Sequence, residues 1–455
     1  MDKKIPVWIL ALVVFIGLNL AVVFGWFVRH ASEGREKLGV LGPVVMEIAN
    51  FPTLVQYAFI DIAGRSPMLI DNRFPGIDGF KINGVLQDNA AKDDGYLLLS
   101  AYDDTRKQST VKLIRIRDGQ ILHEWVPNIR QLAGRQKTES VFLNMNEMTA
   151  RRYRIMHPLL IDDGGLIFHG ERSPLFKVNV CSNFEWVVDG VFHHSLQQGP
   201  DGSYWVPAYV EPAPGDVAKS LQFDDEAIVQ VSADGKLLFR KAVSSILVEN
   251  GYRGLLYGIR LFGPRVMDLN AINLNDIQPA HYSTRYWEKG DLLLSIRNLS
   301  TVLVYRPSTN KIIWLKTGPW LNQHDPDFVG QSKISVLGND MVRKVDDSQI
   351  LLDGQNNIYV FDFAEESIAS PYSSVLRELK LRSVVEGQQD ILENGDAFVE
   401  EYGSGRLLRM SPTELVWQFV VKVDERTVGM VSWSRYLTAE QVNNVLPRLA
   451  NANCP

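Results

Sequence analysis

With 455 residues, 45% of them hydrophobic and 22% charged, the chain has the composition of a globular protein, long enough for one large domain or two medium ones. Its formal net charge of −6 argues against a nucleic-acid binder, which needs a basic face to neutralise phosphates.

The first element in the chain is not globular. Ile5 to Phe27 carries no charge, follows Lys3 and Lys4 and stops before Arg29. At 1.5 Å per residue it spans a hydrocarbon core of roughly 30 Å. It is longer than the apolar core of a cleaved leader, and it ends in Trp26 and Phe27, which suit a membrane interface, rather than in small residues. Residues 1–30 therefore read as an uncleaved single-pass transmembrane anchor. Charge does not set its direction, because Arg29, Arg35 and Lys37 follow it as closely as the two lysines precede it. Residues 31–75 read as a juxtamembrane connector of short helices. The apolar stretch from Gly42 to Ile62 is interrupted by Glu47 and Pro52, against a second span.

From residue 76 to 436 short β-rich runs alternate with Gly, Asp and Asn turns, as in Tyr96-Leu-Leu-Leu-Ser100, Asp291-Leu-Leu-Leu-Ser295 and Lys311-Ile-Ile-Trp314. A repeat is visible: a polar signature, a Gly that opens an apolar strand, two more strands, and closure on Trp. Aligning the signatures gives Gln87, His157, His194, Asn275, His324 and Gln389. Four of these stand eight residues before the strand-opening position. A second aligned set, seven residues after each opening, is Tyr102, Arg172, Tyr209, Arg297, Asn339 and Tyr402. Two all-polar rings at one repeat register predict an all-β fold, a six-bladed β-propeller with both rings turned to its axis. Seven blades is the main competing count. Residues 437–455 form a C-terminal tail. The two cysteines, Cys181 and Cys454, are either unrelated thiols or one disulfide tying that tail down, which requires an oxidising compartment.

Three of the eight histidines, His157, His194 and His324, fall on the first ring, and His193 adjoins one of them. Convergent imidazoles on an axis suit metal binding, anion binding or group transfer. Asp276 and Asp325 directly follow ring residues and read better as groups that fix a turn or a His tautomer than as metal ligands, so no metal or cofactor is expected. Arg297 on the second ring, beside His324, can clamp an anion bidentately. No GxSxG elbow, P-loop or GxGxxG after a strand is present.

The stretch Asn273-Leu-Asn-Asp-Ile-Gln-Pro279, GDLLLSIRNLSTVLVY, IIWLKTGPWLNQHDPDF and ISVLGND resembles the arylsulfotransferase family of PAPS-independent bacterial enzymes on six-bladed propellers. FHHSLQQGPDGSYWVPA, from Phe192 to Ala208, is similar to that family's upstream His motif, and Ser434-Arg435-Tyr436 looks similar too. The resemblance implies transfer of a sulfuryl group from a phenolic sulfate ester to a phenol, outside the cytoplasmic membrane. It implies that His324 takes the sulfuryl group covalently, that Arg297 holds the sulfate oxygens, and that His194 or His193 stands near the sulfate. Tyr102, Tyr209 and Tyr402 would then form aromatic walls, with His157, Arg172, Asn275 and Asn339 completing the substrate pocket. The family has a further catalytic histidine where this chain has Asn273. Asn can donate a hydrogen bond but cannot exchange a proton, and general-acid help is worth about 10²–10⁴-fold. His281 could compensate. Two other readings stay open at this point: a binding module that captures an anionic or aromatic ligand or a partner protein at the membrane, and a metal-dependent or quinoprotein-like propeller enzyme. The natural donor and acceptor and the oligomeric state are not legible.

Overall fold

The computed structural model describes residues 6–32, parts of 38–55, and residues 66–210, 224–258, 271–344 and 348–454. The chain divides into two units, residues 1–66 with 264–266, and residues 67–263 with 267–455. The first contains the helix Val7–Ser32, whose window Val7–His30 is long and apolar enough to cross a membrane or to serve as a signal sequence. Its one polar side chain in mid-run, Asn19, turns its amide back to Phe15 O at 2.7 Å, so the helix satisfies its own donor. The stretch read as a connector lies largely outside the described residues. Its end, Leu69–Asp71, is a strand paired antiparallel with Thr427–Gly429.

The second unit is predominantly β and antiparallel. One sheet joins Arg435–Leu437, Tyr96–Asp103, Gln108–Arg115 and Gln120–Trp125 in that order, so a strand from the chain's end lies against one from its beginning. The next two groups share one eight-stranded sheet. Met156–Leu160, Leu166–His169, Ser173–Val178 and Phe184–Phe192 form its first half; Gln197–Gln198, Tyr204–Tyr209, Glu226–Val231 and Leu237–Ala242 form the second. The halves meet at the pair Phe192 and Ala208. Three four-stranded sheets follow, starting at Leu274–Pro279, His324–Val329 and Gln388–Ile391.

The continuous apolar runs, such as Leu97-Leu98-Leu99 and Leu292-Leu293-Leu294, follow from burial on both faces of each sheet. Period-two alternation divides them. Leu98 packs with Leu166, Phe168 and Phe176 of the next sheet, while Leu97 and Leu99 pack with Phe398, Leu407 and Trp417 of the last. Leu292 and Leu294 face Trp205 and Ile228 behind them; Leu293 faces Ile334, Val336 and Phe361 ahead. Leu337 and Ile358 meet Ala397, Val399 and Leu408. The tail carries two short helices, Ala439–Asn443 and Leu446–Ala450, and buries Val442, Val445 and Leu449 in the same cluster as Leu98. A disulfide joins Cys181 to Cys454.

Each of the six strand groups has a non-glycine residue of positive φ within its opening strand or up to three residues before it: Trp433 (61°), His157 (40°), His194 (60°), Asn273 (51°), Asp325 (49°) and Glu386 (54°). Such left-handed backbone is costly for most side chains and clusters at functional positions. Five of the six are the polar residues, or neighbours of the polar residues, that the repeat alignment singled out.

Candidate functional site

Three rings meet at one place. The His194 and His324 ring centroids lie 6.1 Å apart, and each lies 6.2 Å from the Trp433 ring. His324 opens its strand and is 1% exposed. Its Nδ1 lies 2.6 Å from Asn339 Oδ1. The Asn339 amide cannot be turned round, because its Nδ2 donates to Ser383 O at 2.9 Å and Glu386 O at 2.7 Å. Oδ1 is therefore the acceptor, Nδ1 of His324 carries the proton, and Nε2 is left with a bare lone pair. Burial, then the Arg297 guanidinium and His194, hold the His324 imidazole well below its ordinary pKa, so it is neutral at pH 7. The site thus presents a neutral nitrogen nucleophile of fixed tautomer beside a permanent cation.

Arg297 stands on the 3-10 turn Arg297–Leu299 that follows strand Leu292–Ile296. Its backbone N–H donates to Asn273 O at 2.9 Å and its Nη1 to Asn298 Oδ1 at 2.9 Å. The turn therefore ties Arg297 to the strand start at Asn273. His194 is half-buried, and desolvation lowers its pKa to about 4, with the Glu386 charge opposing and Arg297 adding to the shift. Its Nδ1 is 2.8 Å from His193 Nδ1. His193 in turn has Nε2 4.0 Å from Glu226 Oε1. Glu226 accepts from Leu274 N through its other oxygen, and burial pushes its pKa up to about 8. One hydrogen bond joins the two histidines, and a 4.0 Å gap separates His193 from a carboxyl that holds its proton at pH 7.

Glu386, Arg154 and Trp433 were not singled out by the repeat reading. Arg154 Nη2 lies 2.5 Å from Glu386 Oε2, and Trp433 Nε1 donates to the same oxygen at 3.3 Å. Arg154 also stands 4.8 Å above the Tyr402 ring. Glu386 sits three residues before Gln389 and Trp433 two before Arg435; the left-handed backbone they share with His194 was the missing signal.

The other expected residues divide. Tyr209 packs on His193 at 4.7 Å and stacks on Phe142, with Arg172 5.3 Å above its ring. Asn275 is fully buried and donates to Gln323 O at 2.7 Å. His157 is also fully buried: its Nδ1 accepts from Leu196 N at 3.1 Å, and its ring packs on Trp433. It supports the cluster from behind. Tyr102 lines a separate cavity with Asp103 and Lys112. Gln87 does not join the ring cluster. It bonds Phe80 O and Gln418 O at 2.7 Å each, on the outer strand of the last sheet. The first sheet takes its innermost strand from Arg435–Leu437, a chain-end residue set that an in-order repeat cannot supply. His281 lines another cavity, with Asp325 and Arg435, so it does not stand in for the histidine absent at Asn273.

Among the described residues no group of three or more His, Cys, Asp or Glu is arranged to hold a metal ion. Comparison with curated proteins gives no match. Similar solved structures include a protein of unknown function from Bacteroides caccae, 12% identical over 76% of this chain and 99% of that one, with a TM-score of 0.46. Hydrazine synthase of Kuenenia stuttgartiensis is 10% identical over 66% and 70% of the two chains, with a TM-score of 0.36. Virginiamycin B lyase of Staphylococcus aureus is 11% identical over 60% and 71%, with a TM-score of 0.32. These likenesses are too distant to carry an inference. The sequence family described as arylsulfotransferase (ASST), by contrast, matches residues 161–422, more than half the chain and the segment that supplies His193, His194, Asn273, Arg297 and His324. The chain belongs to the arylsulfotransferase family.

Proposed function

We propose that this chain is a membrane-anchored sulfotransferase that moves a sulfuryl group from a phenolic sulfate ester to a phenolic acceptor through a sulfo-His324 intermediate. The observation that carries the reading is the locked tautomer of His324: a neutral Nε2 lone pair needs no base to become a nucleophile. In the first half-reaction the Nε2–S bond forms as the bond from S to the aryl oxygen breaks, and the phenolate leaves with a proton from its surroundings. In the second, the acceptor oxygen attacks sulfur, its proton departs, and the N–S bond breaks to restore His324. Arg297 holds the sulfuryl oxygens. His194, neutral at pH 7, donates a hydrogen bond to one of them or to the leaving oxygen, with His193 and Glu226 behind it. Tyr209 and Tyr402 wall the aryl group.

The fold proposed for this work is a six-bladed propeller closed by the strand Arg435–Leu437. Its support is the order of the strand groups and the packing of Leu97 and Leu99 on Phe398 and Trp417. The helix Val7–Ser32 would anchor it, with the propeller in the periplasm or on the outer face; the Cys181–Cys454 disulfide fits an oxidising compartment.

The test is a turnover assay of the full chain in detergent with 4-nitrophenyl sulfate and a phenol, beside His324→Ala. Nitrophenol release lost in the variant, with a sulfuryl adduct on the His324 peptide of quenched wild type, supports the mechanism. Folded wild type without release or adduct refutes it. Asn273 favours one second reading, a propeller that binds aryl sulfates without turning them over; binding of 4-nitrophenyl sulfate to an inactive wild type would establish that instead.

A further inference from the structure

A second cavity, of about 280 Å³, shares no wall with the ring cluster. Gln278, Asp325, Asp327, Gln389, Asp390 and Arg435 line it. Asp276 is fully buried nearby, close enough to raise the pKa of Asp325 and Asp327 by its charge. The neighbourhood thus holds four carboxyl groups and one guanidinium, whose charge acts on all four but whose hydrogen bonds are made elsewhere. Arg435 Nε donates to Pro158 O at 2.9 Å, Nη1 to Gln197 Oε1 at 3.1 Å, and Nη2 to Leu196 O. Among the described residues Asp276, Asp325, Asp327 and Asp390 have no ion-pair partner.

The amides point the same way. Gln389 is fully buried, and its Nε2 donates to Ser335 Oγ at 2.7 Å, Asp325 O at 2.9 Å and Asp327 Oδ2 at 3.0 Å. Turning the amide round would set oxygen against a carbonyl and a carboxylate, so Oε1 is fixed as an acceptor, and no donor reaches it. Gln278 Oε1, on the neighbouring sheet's opening strand, is also buried without a donor. A buried acceptor left without a protein donor is destabilising, and a bound cation would favour the ionised form of carboxyls that burial otherwise keeps protonated. What the cavity lacks is positive charge that carries N–H groups, delivered to several walls at once.

We propose that this cavity is a binding site for a short aliphatic diamine in its protonated form, whose ammonium groups donate to Asp390, Asp327, Gln389 and Gln278. The spread of the bare acceptors over different sheets favours a multi-point donor over a single chelated ion. No three of the carboxylates are placed to chelate a metal. The site is independent of sulfuryl transfer, but its strands are those of the ring cluster: Asp325 follows His324, and Asp390 lies four residues after Glu386. In the empty cavity burial raises the pKa of Asp390 to about 6 and of Asp276 to about 7, and raises Asp325 and Asp327 further. His281, at the rim, is lowered by burial. Diamine binding near neutral pH therefore displaces protons.

The test is calorimetry on the detergent-solubilised full chain with 1,4-diaminobutane at pH 7, in two buffers of different ionisation enthalpy, with calcium chloride and sodium chloride as parallel titrants. The expected result is saturable one-to-one diamine binding, weakened at least tenfold in Asp390→Asn, with proton release into both buffers. Proton release is read on wild type alone, so a variant that fails to fold does not remove the test. Binding of calcium but not of the diamine overturns the proposal, as does diamine heat that does not saturate, or that Asp390→Asn leaves unchanged.

Discussion

Removing the Asn339 side chain tests the central inference about His324 without touching the nucleophile. In Asn339→Ala the Nδ1–H of His324 loses its 2.6 Å acceptor, while Ser383 O and Glu386 O each lose one donor and keep another, Asn356 Nδ2 and Ser383 Oγ. A buried hydrogen bond to an otherwise unsatisfied group is worth about 1–3 kcal/mol, so the bias toward the reactive tautomer falls by roughly 5- to 150-fold. Where a histidine is left in its wrong tautomer the loss in kcat reaches about 10⁴-fold, which bounds the effect from above. The expected outcome is a fall of about 10- to 100-fold in the single-turnover rate of nitrophenol release, with KM changed much less, because the aryl sulfate still meets Arg297. Asn339→Asp makes the complementary case. It keeps an acceptor for Nδ1 but adds a negative charge, so the His324 pKa rises and the acid limb of the pH–rate profile moves to higher pH. The reasoning fails if folded Asn339→Ala transfers within twofold of wild type, or if Asn339→Asp leaves the acid limb where it was.

Asn273→His restores the histidine of the family pattern. The position requires left-handed backbone, which His157 and His194 adopt at equivalent strand starts, so the substitution should leave the melting temperature within about 2 °C and raise turnover of aryl sulfates with poor leaving groups by about 10²-fold, read as a flatter dependence of rate on leaving-group pKa. Stability should fall as pH rises from 6.5 to 8 in the ligand-free protein. Glu226, with a folded pKa of about 8, and Glu400 and Asp276, each at about 7, keep protons that the unfolded chain has released above about pH 4.5; their stabilising effect is complete at acid pH and is lost through the folded values. His194 and the buried His169, both lowered to about 4, act oppositely, and only as pH drops below 6.5. Glu226→Gln should therefore flatten the slope of urea stability between pH 6.5 and 8 by up to about 1.4 kcal/mol per pH unit, and an unchanged slope would count against the buried-carboxyl assignment. Reducing the Cys181–Cys454 disulfide opens a loop of sequence separation 273, and the chain-entropy account sets the loss at about 5–6 kcal/mol at most. A melting temperature unaffected by reductant, with both thiols shown to be free, would mean that the packing of Val442, Val445 and Leu449 holds the tail without it.

Much of the β architecture was legible because it rests on local rules. Both-face burial writes uninterrupted apolar runs, and the turns between them need Gly, Asp and Asn. The repeat register placed His157, Asn275, His324 and Gln389 on opening strands and His194 three residues before one, because the polar signature recurs at the start of each strand group. The register failed at Gln87 for a topological reason. A repeat read in chain order assigns the first sheet an opening strand of its own, whereas the fold takes that strand from Arg435–Leu437. Trp433 belongs to that displaced strand, and its register lay at the wrong end of the chain. Arg154 and Glu386 escaped for a different reason: they matter through each other, 232 residues apart, and no periodicity encodes a pair of that kind.

The substitution at Asn273 also bears on how the site is wired. A proton for the leaving oxygen has to come from a group that can exchange it, and the nearest imidazole to His324 is His194, backed by His193 and by Glu226 with a pKa near 8. Asn273 and this path meet structurally at one residue, because Leu274, next to Asn273, donates its N–H to Glu226. Glu226 is thus held by the same strand start that carries the departure from the family pattern. With asparagine at 273 and a protonated carboxyl anchored beside it, the proposed mechanism assigns proton supply to the His193–His194 side of the site. Double substitution then distinguishes the cases: Glu226→Gln should slow transfer in wild type, where that path is the source, and slow it far less in Asn273→His, where a second source is present.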